Sequence, residues 1–271
     1  MTDCATQAWL GDSSGIMPVS LHTYPILGSP LAVLDYAQAI AIAREWSESE
    51  SVFAIAAANT HVVSLARHDP VFRDALEKFD LLLPDGMPLV WCLNRALPPE
   101  ERLRDRVYGP TFMLRFLEAS SHDSGAGHFL LGGPQLLLDQ LAQQLVRQMP
   151  LLQIAGTYVP PFGEWDDAED LKIIRAIAGS RARYIWVGLG CPKQELWIAR
   201  NRHRLPHGVY FAVGAAFAFH AGQVKQAPLW LQDRGFEWLY RLWSEPRRLA
   251  KRYLRYNTLF LYYLLRDRIS R

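Results

Sequence analysis

Cysteine is scarce in this chain: Cys4, Cys92 and Cys191 are the only three among 271 residues. They lie far apart without C-x-x-C spacing, so neither a disulfide scaffold nor a cysteine-ligated zinc site is expected. No group of Cys and His has zinc spacing, and no convincing D-x-D site for a divalent cation occurs. The composition therefore predicts a reducing compartment and a fold that needs no metal or other cofactor.

Long apolar runs are also missing. The longest, 209–219 and 259–265, fall short of the ~18–20 residues that a membrane-spanning helix needs. The first 28 residues are rich in Ser, Thr, Gly and Pro, and they lack the basic start and apolar stretch of a secretory signal. We therefore expect a cytoplasmic protein in which residues 1–24 form a flexible leader.

The chain has almost no excess charge, with a formal net charge of +2, but the charge is unevenly distributed. Residues 234–271 carry ten Lys and Arg against three acidic residues, a net charge of +7, and the first 233 residues carry −5. A basic tail on an acidic body indicates an anionic partner, which is a membrane surface, a phosphate or a nucleic acid.

Apolar residues make up 50% of the chain, and from about residue 30 short β-rich runs alternate with longer helical stretches. The pattern predicts strands at 52–58, 79–83, 128–131, 152–156, 184–189 and 209–213. It predicts helices at 31–46, 61–79 (one helix or two short ones), 111–119, 135–149, 166–178 and 193–202. Most predicted strands lack alternation of apolar and polar residues, as expected of parallel strands covered on both faces. The fold class is therefore α/β, with a Rossmann-like, mostly parallel sheet and helices on both faces.

The alternation stops after Gly222, and from Pro228 onward the sequence is helical, basic and aromatic. We assign 25–227 to the α/β core and 228–271 to a C-terminal helical appendage of two or three segments. Pro246 is expected to begin one of them, because proline is favoured in the first turn of a helix. The acidic run 166–170 lies at another predicted helix start, where it would compensate the helix dipole.

Asp85 follows a predicted strand in the turn Pro84-Asp85-Gly86. Ligands of open α/β sheets bind outside the carboxyl ends of the strands, so this carboxylate has two interpretations. It completes an ordinary Asp-Gly turn, or it is a general base in a cleft, where partial burial tunes its pKa. Turn composition alone favours the first interpretation.

Asn59 and Thr60 follow the first predicted strand of the core. Both are good N-cap residues for the helix that comes next, and capping explains them on local evidence. The same groups are able to bind a sugar hydroxyl or a phosphate at a helix N-terminus.

Two glycine turns also join a strand to a helix. Residues 188–195 read Gly-Leu-Gly-Cys-Pro-Lys-Gln-Glu, and residues 131–134 read Leu-Gly-Gly-Pro. Such turns can hold a phosphate or a nucleotide. Lys193 stands where a dinucleotide fingerprint has its final glycine, so a nicotinamide-dependent oxidoreductase is not expected.

The appendage carries six basic residues between positions 241 and 255: Arg241, Arg247, Arg248, Lys251, Arg252 and Arg255. Guanidinium groups suit diphosphate recognition because they are planar, always charged and bidentate. An ordinary solvated basic face is the simpler interpretation. The interleaved aromatic residues allow a third, an amphipathic helix lying at a membrane surface.

Ordered motifs along the chain resemble those of a known family. They are Asn59, Pro84-Asp85-Gly86, Arg106-Val107-Tyr108-Gly109, Gly188 and Gly190, Pro192-Lys193-Gln194-Glu195 with Trp197, 213–217, Ala221-Gly222, Ala227-Pro228, Glu237-Trp238, Tyr240-Arg241-Leu242, Glu245-Pro246 with Arg248, and Arg252-Tyr253. From about residue 25 to 265 the chain resembles the bacterial WecG/TagA/CpsF glycosyltransferases (glycosyltransferase family 26).

This resemblance implies an inverting hexosyltransferase of cell-surface polysaccharide synthesis. The donor would be a UDP-sugar and the acceptor a polyprenyl-diphosphate-linked saccharide on the cytoplasmic face of the inner membrane. The general base would be Asp85, with Asn59 and Gln194 lining the site. Basic residues of the appendage would close over the nucleotide diphosphate. The predicted substrate-binding set is Asn59, Thr60, Arg106, Gly109, Gly133, Gly188, Gln194, Glu195, Arg241, Arg248, Lys251 and Arg252.

The resemblance leaves the sugar open among N-acetylmannosamine, its uronic acid and glucose. Family members often have Thr two residues before the asparagine, where this chain has Ala57. A hydroxyl contact is then missing or is supplied by Thr60. Expected partners are the donor, the acceptor, the inner-leaflet surface and a second copy of the chain, and no nucleic acid. The alternative is a peripheral membrane or anionic-ligand binding protein without transferase activity, which leaves Asp85 without a role.

Overall fold

The computed structural model describes residues 21–123, 125, 127–224, 226–228, 230–231, 235 and 237–269, without the side chains of 237, 244, 248, 268 and 269. Its strands are β1 (Thr23–Ile26), β2 (Ser29–Ala32), β3 (Val52–Ala58), β4 (Leu81–Pro84), β5 (His128–Leu131), β6 (Ile154–Tyr158), β7 (Tyr184–Val187) and β8 (Gly208–Ala212). The central sheet is parallel throughout, in the order β4-β3-β8-β7-β5-β6.

Successive residues of the central strands face opposite sides of the sheet. In β7, Tyr184 and Trp186 pack into one apolar layer, and Ile185 and Val187 pack into the other. All four side chains are buried. The strands are apolar throughout because both faces are covered, as in other parallel sheets.

Helices cover both faces. The helices are α1 (Tyr36–Ser47), α2 (Thr60–His68), α3 (Pro70–Leu76), α4 (Met87–Ala96), α5 (Gly109–Ser120), α6 (Gln135–Gln148), α7 (Asp167–Ser180), α8 (Lys193–Asn201), α9 (Ala216–His220), α10 (Glu237–Ser244) and α11 (Pro246–Ile269). Helices α2, α3, α7 and α8 pack on the first face, and α1, α5, α6 and α9 pack on the second. The predicted α/β class with helices on both faces is confirmed.

The sequence prediction missed the ten-residue helix α4, and it also differs from the structure at residues 31–35. The helix expected to begin at residue 31 begins at Tyr36, where Asp35 forms a capping box with Gln38. The preceding residues form β2, which pairs with β1 in an antiparallel hairpin. Leu27, with φ 52°, and Gly28, with φ 89°, are both left-handed, as the tightest two-residue hairpin turns require. The hairpin also places Thr23 and Tyr24 in a strand, and residues 1–20 of the expected leader lie outside the described residues.

The acidic run at the start of α7 does more than compensate the helix dipole. Asp166 caps the helix by accepting the N–H of Glu169, as a residue at a helix start should. Asp170 is buried and accepts hydrogen bonds from Trp165 Nε1 at 2.7 Å and from Trp197 Nε1 at 2.9 Å. Arg200 adds a contact of 2.7 Å. The dipole interpretation is therefore incomplete for Asp170, whose carboxylate joins α7 to α8.

The C-terminal helix α11 begins at Pro246, as predicted, and packs along α2 on the first face of the sheet. Phe260 and Tyr263 are buried in that contact, and the Tyr263 hydroxyl lies 3.1 Å from His68 Nδ1. Within the described residues, no helix has the length and apolar character needed to cross a membrane.

Candidate active site

The site predicted from the turns lies along the carboxyl ends of the parallel strands. There β3 and β7 lead to α2 and α8 on the first face, and their neighbours β8 and β5 lead to α9 and α6 on the second. Because neighbouring strands lead to helices on opposite faces of the sheet, crevices open at the strand ends. Ligands of α/β sheets bind in such crevices.

Asp85 follows β4 at this edge and is partly exposed. The N–H of Gly109 donates to Asp85 Oδ1 at 3.3 Å. Gly109 is the first residue of α5, so the carboxylate faces the positive end of a helix of 12 residues. A Cβ on Gly109 would lie 3.1 Å from Ala57 Cβ and 4.0 Å from Asp85 Oδ2. The small residues at 57 and 109 therefore permit the close approach of α5 to Asp85.

Asn59 caps α2, as its local sequence predicts. Its Oδ1 accepts the N–H groups of His61 at 3.0 Å and Val62 at 3.3 Å. No hydrogen bond of Asn59 Nδ2 is found in the described part of the chain. The amide nitrogen is thus the part of this side chain suited to a substrate, and the oxygen positions it.

Thr60 is engaged by the C-terminal helix. Its hydroxyl donates to Asn257 Oδ1 of α11 at 3.1 Å. A role for this hydroxyl in substrate binding stays a prediction, and the structure adds a second role for Thr60 as a contact between α2 and α11.

Gln194 and Glu195 are buried beneath the edge rather than exposed along it, with 3% and 1% of their surface accessible. Gln194 Oε1 accepts the N–H of Gly190 and the N–H of Gly214, each at 3.1 Å, and Gln194 Nε2 donates to Glu195 Oε1 at 2.9 Å. Burial raises the pKa of Glu195 to about 7, against hydrogen bonds from Gln194 and the Cys191 thiol that lower it. Gln194 thus holds the turns after β7 and β8 together from below.

The glycine turns are tightly packed. A Cβ on Gly188 would lie 2.6 Å from the ring of Phe217, and one on Gly133 would lie 2.7 Å from Leu137. A Cβ on Gly132 would lie 2.9 Å from the backbone of Gly188, so the turns after β5 and β7 touch. Packing alone accounts for these glycines, and their contact with a nucleotide stays a prediction.

Arg106 lies on the segment that enters α5, next to Val107, whose N–H donates to Pro84 O at 3.0 Å. Arg106 is 8% exposed, and its guanidinium lies 4.4 Å from the centre of the Tyr108 ring. The N–H of Tyr108 donates to the hydroxyl oxygen of Tyr36 at 2.9 Å. Burial raises the pKa of Tyr36, as do Asp105 and Asp85, whereas the bond from Tyr108 and the charge of Arg106 lower it.

Sequence reasoning missed Tyr36. Its position one residue after the N-cap of α1 carries no signal of chemistry. Only the packing of α1 against α5 brings it to the carboxyl edge.

The described tail arginines reach the same edge from two sides. The Arg241 guanidinium lies 5.1 Å from the centre of the Phe219 ring in α9. Burial lowers the pKa of His61 to about 4 and raises the pKa of the Cys191 thiol, and the charge of Arg252 acts on both groups in the lowering direction, so Arg252 lies near them.

Arg252 Nε is buried and has no hydrogen-bond partner among the described residues. Lys251 is exposed, and the side chain of Arg248 lies outside the described part of the chain. Two of the four predicted basic contacts are therefore placed near the strand ends.

No group of three or more His, Cys, Asp or Glu side chains in the described residues is arranged to hold a metal ion. The chemistry that the described edge offers is a carboxylate at a helix N-terminus, flanked by guanidinium groups.

Residues 24–271, nearly the whole chain, match the family described as glycosyl transferase WecG/TagA/CpsF. The match includes the parallel-sheet core, the turn that carries Asp85 and the helices α10 and α11 that carry the tail arginines. The chain therefore belongs to the WecG/TagA/CpsF family of glycosyltransferases.

Proposed function

We propose that the protein transfers a hexosyl group, with inversion, from a UDP-sugar to a polyprenyl-diphosphate-linked saccharide in cell-surface polysaccharide synthesis. The sugar is N-acetylmannosamine, its uronic acid or glucose. The family supports the reaction class. The observation that carries the proposal for this chain is the partly exposed Asp85 carboxylate at the carboxyl edge of the sheet, facing the N-terminus of α5.

Asp85 acts as the general base in this mechanism. It takes the proton of an acceptor hydroxyl while that oxygen attacks the anomeric carbon from the side opposite UDP. The new C–O bond forms as the bond to the diphosphate breaks, and UDP leaves. General-base assistance of this kind contributes about 10²–10⁴-fold to rate.

The leaving diphosphate needs positive charge. Arg241 and Arg252 supply it from the appendage, flanking the ends of β3, β7 and β8. Fixed guanidinium donors stabilise a departing diphosphate by charge-assisted hydrogen bonds. We propose that no metal ion takes part.

Product analysis by mass spectrometry tests this function. Wild-type protein and Asp85→Asn are offered short-chain lipid-diphosphate N-acetylglucosamine, or a glucose-capped equivalent, with a panel of UDP-sugars in EDTA. We expect one sugar to be added by the wild type and at most a trace by Asp85→Asn. Transfer by both proteins at equal rates would refute Asp85 as the base. No transfer with any pair, even with liposomes added, would refute the transferase and favour a binding protein.

The tail supports a membrane-surface location. Trp243 is 83% exposed and Leu254 is 75% exposed, among the basic residues Arg247, Lys251 and Arg255. Apolar side chains flanked by cations suit an anionic leaflet. We propose that this face docks the enzyme on the cytoplasmic surface of the inner membrane, next to the lipid-linked acceptor.

Sedimentation with anionic liposomes tests the docking face. Trp243→Ser with Leu254→Ser should reduce binding, and the control Leu136→Ser, at an exposed site of α6, should not. Point substitutions test docking more specifically than removal of the tail does, because removal would also delete the buried residues Leu249, Phe260 and Tyr263. Equal binding by all three proteins would exclude this face.

A further inference from the structure

A pocket of about 420 Å³ lies between the start of α1 and the segment 100–106. Its volume is within the range of about 300–1,000 Å³ that small-molecule sites occupy. Tyr36 and Arg106 belong to its lining and also border the candidate active site.

The pocket is connected to Asp85 through two consecutive backbone groups. The N–H of Tyr108 donates to the Tyr36 hydroxyl at 2.9 Å, and the next N–H, that of Gly109, donates to Asp85 Oδ1 at 3.3 Å. The phenol oxygen and the carboxylate therefore lie side by side. The Arg115 guanidinium, 4.3 Å from the centre of the Tyr36 ring, fixes the ring from α5.

The pocket and Arg252 lie on different sides of Asp85. The N–H of Asp85 donates to Ala58 O of β3 at 2.9 Å, and the N–H of Val107 donates to Pro84 O at 3.0 Å. Because β4 is an edge strand with β3 on one side, the segment leading to Val107 runs along its free edge. The pocket is thus on the free-edge side, whereas Arg252, near His61 after β3 and Cys191 after β7, is on the other side.

This arrangement matches the demands of an inverting displacement. The attacking oxygen and the leaving diphosphate must lie on opposite sides of the anomeric carbon, with the base next to the attacking oxygen. If the tail arginines hold the diphosphate, the attacking saccharide comes from the free-edge side, where the pocket lies.

The lining of the pocket favours a neutral saccharide. Three arginines, Arg102, Arg104 and Arg106, face four carboxylates, and Tyr36 and Gln38 add neutral polar groups. A diphosphate would need a clear excess of cations, whereas mixed donors and acceptors with an aromatic ring suit a ring of hydroxyl groups.

We propose that this pocket binds the acceptor saccharide, and that Tyr36 donates a hydrogen bond to it so that the attacking hydroxyl faces Asp85. The inference rests on the proposed transferase function and adds to it the place and class of the acceptor. Because the Tyr36 oxygen already accepts from Tyr108, its own proton is directed to the saccharide.

Steady-state kinetics test this proposal. The acceptor is short-chain lipid-diphosphate N-acetylglucosamine, or the glucose-capped equivalent if the wild type uses that one, and the donor is the accepted UDP-sugar. Tyr36→Phe should raise the KM for the acceptor about 5–10-fold, the effect of one lost hydrogen bond, and leave the KM for the donor unchanged. Arg104→Trp, which fills the pocket from an exposed position, should raise the acceptor KM further. Ala37→Trp introduces the same side chain on the helix of Tyr36 but outside the pocket lining. It is the matched control and should behave as wild type.

UDP binding by calorimetry separates the two possible failures, and all variants should bind UDP as the wild type does. If the wild type transfers sugar and both pocket variants keep the wild-type acceptor KM, the pocket assignment is wrong and the transferase stands. A raised donor KM with an unchanged acceptor KM would also overturn it, by assigning the pocket to the donor. Absence of transfer by the wild type to every acceptor would refute the transferase itself, and the pocket's role with it.

Discussion

Gln194 Oε1 accepts the N–H of Gly214 at 3.1 Å and so joins the turn after β8 to the helix that follows β7. The same oxygen accepts the N–H of Gly190 at 3.1 Å. One buried side chain therefore satisfies two backbone donors beneath the carboxyl edge. The shape of that edge depends on a residue that lies under it.

Gln194→Leu should lower the free energy of unfolding by about 1–3 kcal/mol for each backbone donor left without a partner. Leucine has a similar volume but no acceptor, so the loss reports on the hydrogen bonds. Urea denaturation measures it, with Gln143→Leu at an exposed position of α6 as the control. Equal losses in the two variants would contradict this role of Gln194.

The docking of α11 on α2 is tested by two adjacent tyrosines. Tyr263 is 9% exposed and contacts His68, whereas Tyr262 is 54% exposed. Tyr263→Ala should destabilise the docked tail by about 3 kcal/mol, as large-to-small core substitutions do, and Tyr262→Ala should cost much less. Limited proteolysis should cut the tail of Tyr263→Ala first. Similar cleavage rates in both variants would show that α11 does not depend on this contact.

Glu195→Gln should change how stability depends on pH. With its pKa raised to about 7, the folded protein holds a proton that the unfolded chain releases near pH 4.5. The stabilisation from this group is complete below about pH 4.5 and is lost as the pH rises through about 7. Between pH 5 and pH 8 the free energy of unfolding of Glu195→Gln should rise by about 2–3 kcal/mol relative to that of the wild type. Urea denaturation at both pH values measures the gain, and Glu118→Gln on the surface of α5 is the control. A constant difference between Glu195→Gln and the wild type would contradict the raised pKa.

His128 should make stability depend on pH in the opposite direction, with stability lost as the pH falls. It is fully buried, and Trp186 Nε1 donates to its Nδ1 at 3.0 Å. The Ser120 hydroxyl donates to Phe116 O at 2.6 Å, so the serine oxygen accepts His128 Nε2–H at 3.2 Å. A neutral imidazole satisfies both contacts, and burial lowers the pKa of His128 to about 3.

Stability from the neutral His128 is complete above about pH 6.5, and it falls as the pH drops towards 3, because the unfolded chain alone takes up the proton. His128→Gln should be less stable than wild type at pH 7.5, and the difference should narrow by about 2 kcal/mol on going to pH 5. Urea denaturation across this range measures it, with His122→Gln at an exposed position as the control. A difference that does not narrow would show that His128 is protonated in the folded state.

Most of the fold could be predicted from local sequence. Strand β3 has the predicted bounds, and β5 and α8 differ from prediction by at most one residue. These elements are apolar runs or amphipathic stretches of typical length between turn residues. The prediction missed helix α4. It also failed at β2, because Ser29–Ala32 forms a strand only by pairing with Thr23–Ile26. A short run of this kind does not reveal its partner.

The candidate site could be predicted where a single turn after a strand carries the polar residue. Asp85 and Asn59 each follow a strand directly, so parallel topology brings both to one edge. The roles of Gln194 and Glu195 were harder to predict from the sequence, since the motif does not show that both side chains are buried. Tyr36 carried no signal at all.

Apolar runs, helix caps and glycine turns are properties of short stretches of sequence. They were enough to predict the α/β class, the helical tail and the position of Asp85 at a strand end. The partners of the site residues required the folded chain. The Thr60–Asn257 bond joins positions 197 residues apart, and Tyr108 reaches Tyr36 across 72 residues. Contacts at such separations follow from the strand order and from which helix faces are buried, because these bring distant segments to the same edge of the sheet.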